Sequence, residues 1–372
     1  MPRNAVICLI LAALALFVAA CSEHPQSGTG TAQLPDSSRY QGEFKNGLFH
    51  GQGKLTWRHG GFYEGQFHHG LIEGKGLFIH ADGTREEGQF KNGLLDGQGK
   101  RRRPSGEMYE GTFRAGKFHG RGVFRSDREY YDGDWVDGKK SGHGSYIRDG
   151  MGEYKGQFYD DEIAGKGVLI YEDGTRIEGQ FDRGVTQGEA VITGPNGGRL
   201  EARFVQGRAL GPGKQTTEDG ASYIGEFLNG KWHGQGELTD AEGNIYRGEF
   251  RDNQRHGYGK ILYADGREFH GNFVDNLPHG KGSIEYPTTA RYNGDFERGL
   301  PHGEGVYEFP DGDRYVGSFA NGVFEGEGTL IFNPASGKTP ISGLWHNGNF
   351  IGQPMAPPTN PTPGEPVRIL VK

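Results

Sequence analysis

The strongest constraint on this chain is a sentence it repeats. Residues 292–305 spell it out: Tyr292, Gly294 and Phe296 two apart, then Gly299, then His302 followed by Gly303-Glu304-Gly305. Full copies begin at Tyr40, Tyr63, Tyr109, Tyr131, Tyr154, Tyr223, Tyr246, Tyr292 and Tyr315. Degenerate copies begin at Glu86, Ile177, Leu200, Phe269 and Ile341. The step is 23 residues, except 22 between Tyr109 and Tyr131 and 26 between Tyr315 and Ile341. Fourteen copies therefore cover 40–352. A fixed period of this size marks a repeat array and overrides a domain count taken from length.

Each copy reads as two strands and two turns. Strand side chains alternate faces, so Tyr292, Gly294 and Phe296 share one face and Asn293 and Asp295 take the other. Glu226, Arg247 and Glu249 fall on the same polar side. Asn46-Gly47, Asn92-Gly93, Asn229-Gly230, Asn321-Gly322 and Asn347-Gly348 predict tight hairpin turns with both φ angles positive. The chain returns through Gly-x-Gly into a second alternating strand. There Leu55 and Trp57, Leu169 and Tyr171, Ile261 and Tyr263, Tyr307 and Phe309, and Leu330 and Phe332 lie on the glycine face. Asp82-Gly83, Asp173-Gly174, Asp265-Gly266 and Asp311-Gly312 mark the second turn. The fold class is all-β, an antiparallel meander. Interior glycines would cost a helix about 1 kcal/mol each relative to alanine. With 68 glycines and only 33% hydrophobic residues, the chain suits a thin sheet whose rings pack on bare backbone, not a thick two-layer core.

The pattern Tyr-x-Gly-x-Phe-x-x-Gly-x-x-x-Gly-x-Gly resembles the MORN repeat (membrane occupation and recognition nexus), and it runs through all of 40–352. The resemblance implies an elongated, twisted single-layer β-sheet, a solenoid of hairpins of about 23 residues. It also implies a scaffold or interaction role, with acidic lipid among the proposed ligands of the family. Some copies depart from the pattern. Asp161, Asn253 and Asn276 replace the turn glycine; Ala190 and Ala202 replace strand glycines; Gln215 and Thr217 replace rings. Ile177 and Leu200 replace the first aromatic, so 177–217 is the weakest segment.

The N-terminus reads as an address. Arg3 is followed by the apolar run Ala5–Phe17, which is too short for a spanning helix and fits a secretory signal over 1–20. It ends Val18-Ala19-Ala20-Cys21, which resembles the lipobox of bacterial lipoproteins. That resemblance implies cleavage between Ala20 and Cys21, acylation of the Cys21 thiol, and membrane attachment through the lipid. Ser22 then favours the outer membrane, facing the periplasm. Cys8 leaves with the signal, so the mature chain has no disulfide, and its net charge moves from −7 to −8 with the loss of Arg3. Residues 21–39 read as the lipidated cysteine and a disordered, polar tether. Residues 353–372 read as a Pro-rich extended tail ending in the apolar Val367–Val371. The half-copy Ile341–Trp345 is uncharged, an open C-terminal edge for pairing with Val367–Val371, a second copy or a partner.

Chemistry is sparse. His50, His119, His233, His256, His279 and His302 all precede Gly-x-Gly. Equivalent residues lie two strands apart, about 9.6 Å, whereas zinc holds its nitrogens within about 2.1 Å, so successive rungs do not share an ion. No metal and no cofactor is expected. Acids are evenly spread, and neither a nucleophile elbow nor a phosphate loop before a helix occurs, so the chain reads as no enzyme. Mixed charge argues against a nucleic-acid partner. Arg101-Arg102-Arg103 is read as a solvated strand end or a contact for an anionic head group or glycan. The expected role is a membrane-anchored envelope scaffold that binds a protein partner, a second copy of itself or an acidic lipid. The alternative is a carbohydrate-binding module for peptidoglycan or exopolysaccharide. Its candidate aromatic face is Tyr223, Phe227, Tyr246, Phe250, Tyr263, Phe273, Tyr286, Tyr292, Phe296, Tyr307, Tyr315 and Phe319.

Overall fold

A computed structural model describes residues 25–353. The signal segment, Cys21 and the tail from Pro354 onward lie outside the described residues. The described chain forms twenty-nine strands and one short 3-10 turn, Pro334–Ser336, and contains no α-helix. It divides into two compact units. The first holds the fifteen strands from Ser27–Gln33 to Val185–Thr193. The second holds the thirteen from Arg208–Thr216 to Asn349–Gly352, and Arg199–Val205 is shared between them. Within each unit, consecutive strands pair antiparallel in chain order.

The turns follow the sequence. Asn46 and Gly47 have φ of 55° and 72°, the two positive angles of a tight hairpin. Where the glycine is lost, Asp161, Asn253 and Asn276 still take positive φ. Their side chains then add a bond: Asp161, Asn253 and Asn276 accept from the amides of Lys140, Trp232 and Arg255 in the preceding repeat at 2.8, 2.7 and 2.9 Å.

The core is a rung. Gly42 pairs with Gly53, and Gly53 with Gly65 on the next strand, so every regular copy presents two facing glycines. Tyr40 lies across its own pair; a Cβ on Gly53 would sit 2.6 Å from the ring and closer still to its hydroxyl. The Tyr40 hydroxyl donates to the Glu43 carbonyl at 2.8 Å. Phe49 stacks on the other side of the ring at 3.8 Å, and Phe44 and Phe67 meet its edges at 5.1 Å each. Tyr40, Tyr63, Tyr131, Tyr154, Tyr223, Tyr292 and Tyr315 are thereby wholly shielded from water within a single sheet.

The two glycines of Gly-x-Gly have different tasks, which the sequence alone does not separate. Gly53 makes room for the ring, whereas Gly51 carries φ of 56° and forms a bulge at which the register with the first strand shifts. The amide freed there is satisfied by the side chain after the rung glycine. Glu43 accepts from Gln52 N at 2.8 Å, Gln66 from Lys75 N at 2.9 Å and Gln157 from Lys166 N at 3.0 Å.

Both sheet margins correct the sequence reading. Part of the expected tether is a strand: Ser27–Gln33 pairs with Arg39–Lys45, with Ala32 opposite Tyr40. The Tyr40 strand offers an unpaired row of backbone groups, and an extended polar segment satisfies them without an alternating apolar signal. Ala32 and Leu34 are buried there. At the other end Ile341–His346 is not the outermost strand, because Asn349–Gly352 returns across Asn347-Gly348 and pairs with it.

The irregular copies complement their glycines. Ala202 is buried in the repeat where Leu200 stands for tyrosine, so a methyl fills the volume a ring takes elsewhere. Accordingly, Gly259→Ala should destabilise the protein by about 2 kcal/mol, because its Cβ meets the Tyr246 ring. Joined to Tyr246→Leu, it should cost clearly less than the two single changes summed. Urea unfolding of the four chains measures the cycle, and strict additivity would contradict the rung. Lacking rung tyrosines, 177–217 should also exchange its amide hydrogens first, as followed by mass spectrometry. Uniform protection from 40 to 352 would refute this.

Candidate binding surface

The twelve rings proposed as a binding face divide into two sets. Tyr223, Phe227, Tyr246, Phe250, Phe273, Tyr292, Phe296, Tyr315 and Phe319 are buried and not available for stacking on a ligand. Each tyrosine is enclosed by its glycine rung and by two aromatic edges, as in Tyr223 with Phe227 at 5.4 Å and Phe250 at 5.0 Å, or Tyr315 with Phe319 and Trp345 at 5.3 Å each. Burial pushes the Tyr63, Tyr109 and Tyr154 hydroxyls up to about 12, so they stay neutral and donate to backbone carbonyls. The nine rings are core, a correction that follows from the rung.

Tyr263, Tyr286 and Tyr307 are only half-buried. Tyr307 lies 6.2 Å from Tyr286 and 4.8 Å from Phe309. Phe309 and Phe332, left out of the candidate face, are half-buried too and occupy the repeat position of Tyr263 and Tyr286. Their 23-residue spacing was the signal that identifies them. Arg267 lies over the Tyr263 ring at 4.6 Å, and Lys338 over Phe332 at 4.9 Å. The row therefore combines apolar faces with flanking cations.

The opposite face is polar and largely self-paired. Lys54 meets Glu64 at 3.0 Å, Lys100 meets Glu110 at 3.0 Å and Lys281 meets Asp295 at 2.8 Å, each across neighbouring strands. An open cleft of about 510 Å³ is lined there by Gln52, Glu64, Lys75, Glu87, Gln89 and Gln98. A second, of about 450 Å³, is lined by Lys166, Glu178, Gln180 and Glu189. Among the histidines, His50 lies 5.3 Å from His68 and 5.7 Å from His69, ring to ring. Burial, Lys45 and these two rings push its pKa down. Among the described residues no group of three or more histidine, cysteine or acidic side chains is arranged to hold a metal ion.

One copy replaces rings by charges. Glu86 stands where tyrosine does elsewhere, and directly across from it stands Arg101, where Tyr40 faces Leu55. Arg101 Nε donates to Glu86 Oε1 at 2.6 Å, and His80 Nε2 lies 3.2 Å from Glu86 Oε2. The guanidinium also donates to the Gly116 carbonyl at 2.8 Å and covers the Phe113 ring at 5.1 Å. Arg101 is thus drawn into the core, which corrects the reading of a solvated end for that residue; Arg102 and Arg103 are exposed. Burial by itself raises the Glu86 pKa; the His80 bond and the Arg101 charge outweigh it and hold the carboxyl below its usual range.

Breaking this pair leaves a buried charge, whereas replacing both partners restores the common packing. Arg101→Leu should therefore cost about 3 kcal/mol or more, and Glu86→Tyr with Arg101→Leu should be as stable as the parent or more so. A depressed carboxyl contributes stability above its ordinary value of about 4.5 and loses it as pH falls through the folded value. The parent should accordingly weaken more than the double variant below that pH. Denaturant titrations at neutral and acid pH check both statements; a double variant weaker than Arg101→Leu would contradict them.

Comparison with known proteins bears on this geometry. The family model described as the MORN repeat matches residues 40–62, 63–85, 87–108, 109–127, 131–151, 154–176, 178–199, 223–245, 246–266, 269–291, 292–314 and 315–334. It thus marks twelve copies; the period adds those at Leu200 and Ile341. No curated protein matches the chain. Among solved structures, the chain is similar to the SAS-4 (dCPAP) TCP domain of Drosophila melanogaster, in complex with a proline-rich motif of Ana2. That match has 12% identity and a TM-score of 0.27, covering 48% of this chain and 90% of that one. A streptogramin B lyase matches at 12% identity and a TM-score of 0.13, covering 80% of this chain and 93% of that one. TM-scores this low carry no argument about fold or function. The family model alone spans well over half of the residues, and its tyrosine and glycine positions are those that build the rung. The chain belongs to the MORN repeat family.

Proposed function

We propose that this chain is a non-enzymatic, lipid-anchored scaffold of a bacterial cell envelope whose MORN array holds a protein partner. Family membership supports a binding or scaffold role. The signal-like 1–20 and the ending Val18-Ala19-Ala20-Cys21 support attachment through a lipid on Cys21. Ser22 supports an outer-membrane position facing the periplasm.

The observation that carries the reading is the enclosure of the rings. Nine of the twelve candidates pack inside the sheet, and the polar face pairs many of its own ions. The three candidates left accessible belong to a row of half-buried aromatics edged by polar groups, the make-up of a polypeptide-docking patch. Sugar stacking needs open ring faces and therefore stands second, resting on Tyr263, Tyr286 and Tyr307. Contact with acidic lipid loses one candidate cation, because Arg101 is bound to Glu86.

Cys21→Ser should block maturation and release the protein from the membrane fraction; a mutant that stays membrane-bound at mature size would sink the anchor. Purified array mixed with insoluble peptidoglycan should remain in the supernatant on centrifugation. Saturable pelleting, abolished by Tyr263→Ala and Tyr286→Ala, would favour the carbohydrate reading instead.

A further inference from the structure

The row of half-buried rings has a local boundary. Tyr263, Tyr286, Phe309 and Phe332 each open the turn after the second strand of a repeat and recur every 23 residues. The equivalent residues of the two preceding repeats are Asp240 and Thr217; Trp57 and Tyr171 are aromatic at this position farther back but stand singly, so an unbroken aromatic run is confined to the last four turns of this type. All of it lies within the second unit.

We propose that the Pro-rich segment 354–366 of this chain docks along this rim as a polyproline II helix. The proposal does not depend on the envelope reading.

The path of the chain is the first argument. Asn349–Gly352 runs antiparallel to Ile341–His346, and Ile341 pairs with Leu330. Gln353 Nε2 donates to the Ser342 carbonyl at 2.7 Å. The chain therefore leaves the sheet heading for the rim that holds Phe332, two strands away. Ile341, beside that path, is exposed.

Repeat lengths give the second. A polyproline II helix has three residues per turn at about 3.1 Å each, so it repeats every ~9.3 Å. The rings recur every second strand, at about 9.6 Å. Pro357, Pro363 and Pro366 fall on one three-residue register and face the same way. Thirteen residues of this helix span about 40 Å. Reaching Phe332 takes about 10 Å and crossing three repeats about 29 Å, from the strand spacing.

Chemistry gives the third. Proline has no N–H to donate, so 354–366 is a poor strand for extending the sheet beyond Asn349–Gly352. Its rings instead pack on aromatic faces, and the helix is preordered, so little entropy is lost on docking.

The test places a photo-crosslinker, benzoylphenylalanine, at Ala356 or at Thr362 of the full chain and maps the adducts by mass spectrometry. Docking in this register predicts adducts within one molecule, from 356 to the turn around Phe332 and from 362 to the turn around Tyr286. Tyr286→Ser with Phe309→Ser should abolish the adduct from 362 while the circular dichroism of the array is unchanged. The map of the otherwise unsubstituted chain decides by itself if that variant unfolds. Adducts only between molecules would assign the rim to a second copy and overturn the proposal. Adducts confined to residues outside 263–338, or none, would also overturn it.

Discussion

A tyrosine ring laid flat on two facing glycines is the contact on which the rest of this structure depends. A single-layer sheet has no second layer to cover its apolar residues, and the rung substitutes for one. The backbone covers one side of the ring, the side chain that follows the hairpin turn covers the other, and neighbouring phenylalanines close the edges. An enclosed aromatic ring removes 150–250 Å² from water, worth roughly 4–6 kcal/mol as an upper bound at about 25 cal/mol per Å². Each edge-to-face contact adds about 0.5–1.5 kcal/mol. Because Phe67 belongs to the next repeat yet meets Tyr40, the same contact closes one core and couples it to its neighbour.

This dependence explains what varies. The residue over the tyrosine is phenylalanine at 49, 118 and 324, but Lys140 lies 5.7 Å from the Tyr131 ring and Arg255 5.8 Å from Tyr246. A cation or an aliphatic stem covers a ring as well as another ring does. The glycines have no such freedom while the ring is present, and where the tyrosine is lost, at Leu200, Ala202 replaces glycine. Glu86 and Arg101 show the limit of substitution. A charged pair enters the rung position only because each charge finds the other, with His80 completing the set.

The same geometry separates fold from function. Rings that build the sheet are hidden, so the surfaces left for partners are the turn rim and the polar face. Those are the places where one repeat differs from the next. The accessible aromatic rim from Tyr263 to Phe332 is one such local difference, since the two preceding repeats carry Asp240 and Thr217 at that position.

Much was legible from spacing. Alternation of Tyr292, Gly294 and Phe296 places them on one face, and the Asn-Gly pairs take the left-handed angles they imply, because both properties are local to a few residues. Four features depended on contacts distant along the chain. Glu86 and Arg101 are fifteen residues apart, and nothing in either neighbourhood announces that they meet. Ser27–Gln33 has no apolar alternation, so only the vacant hydrogen bonds of the Tyr40 strand make it a strand. The bulge at Gly51 assigns different work to two glycines that look alike in sequence. The candidate rings failed as a surface for a related reason: period places a tyrosine on a face, but only packing decides whether that face meets water or glycine. The sequence by itself determined the repeat, its strands and its turns, since these follow from side-chain alternation and backbone angles. Which rings are buried, which charges are paired and which margin strands close the sheet were decided by tertiary structure, since each depends on what an adjacent strand presents.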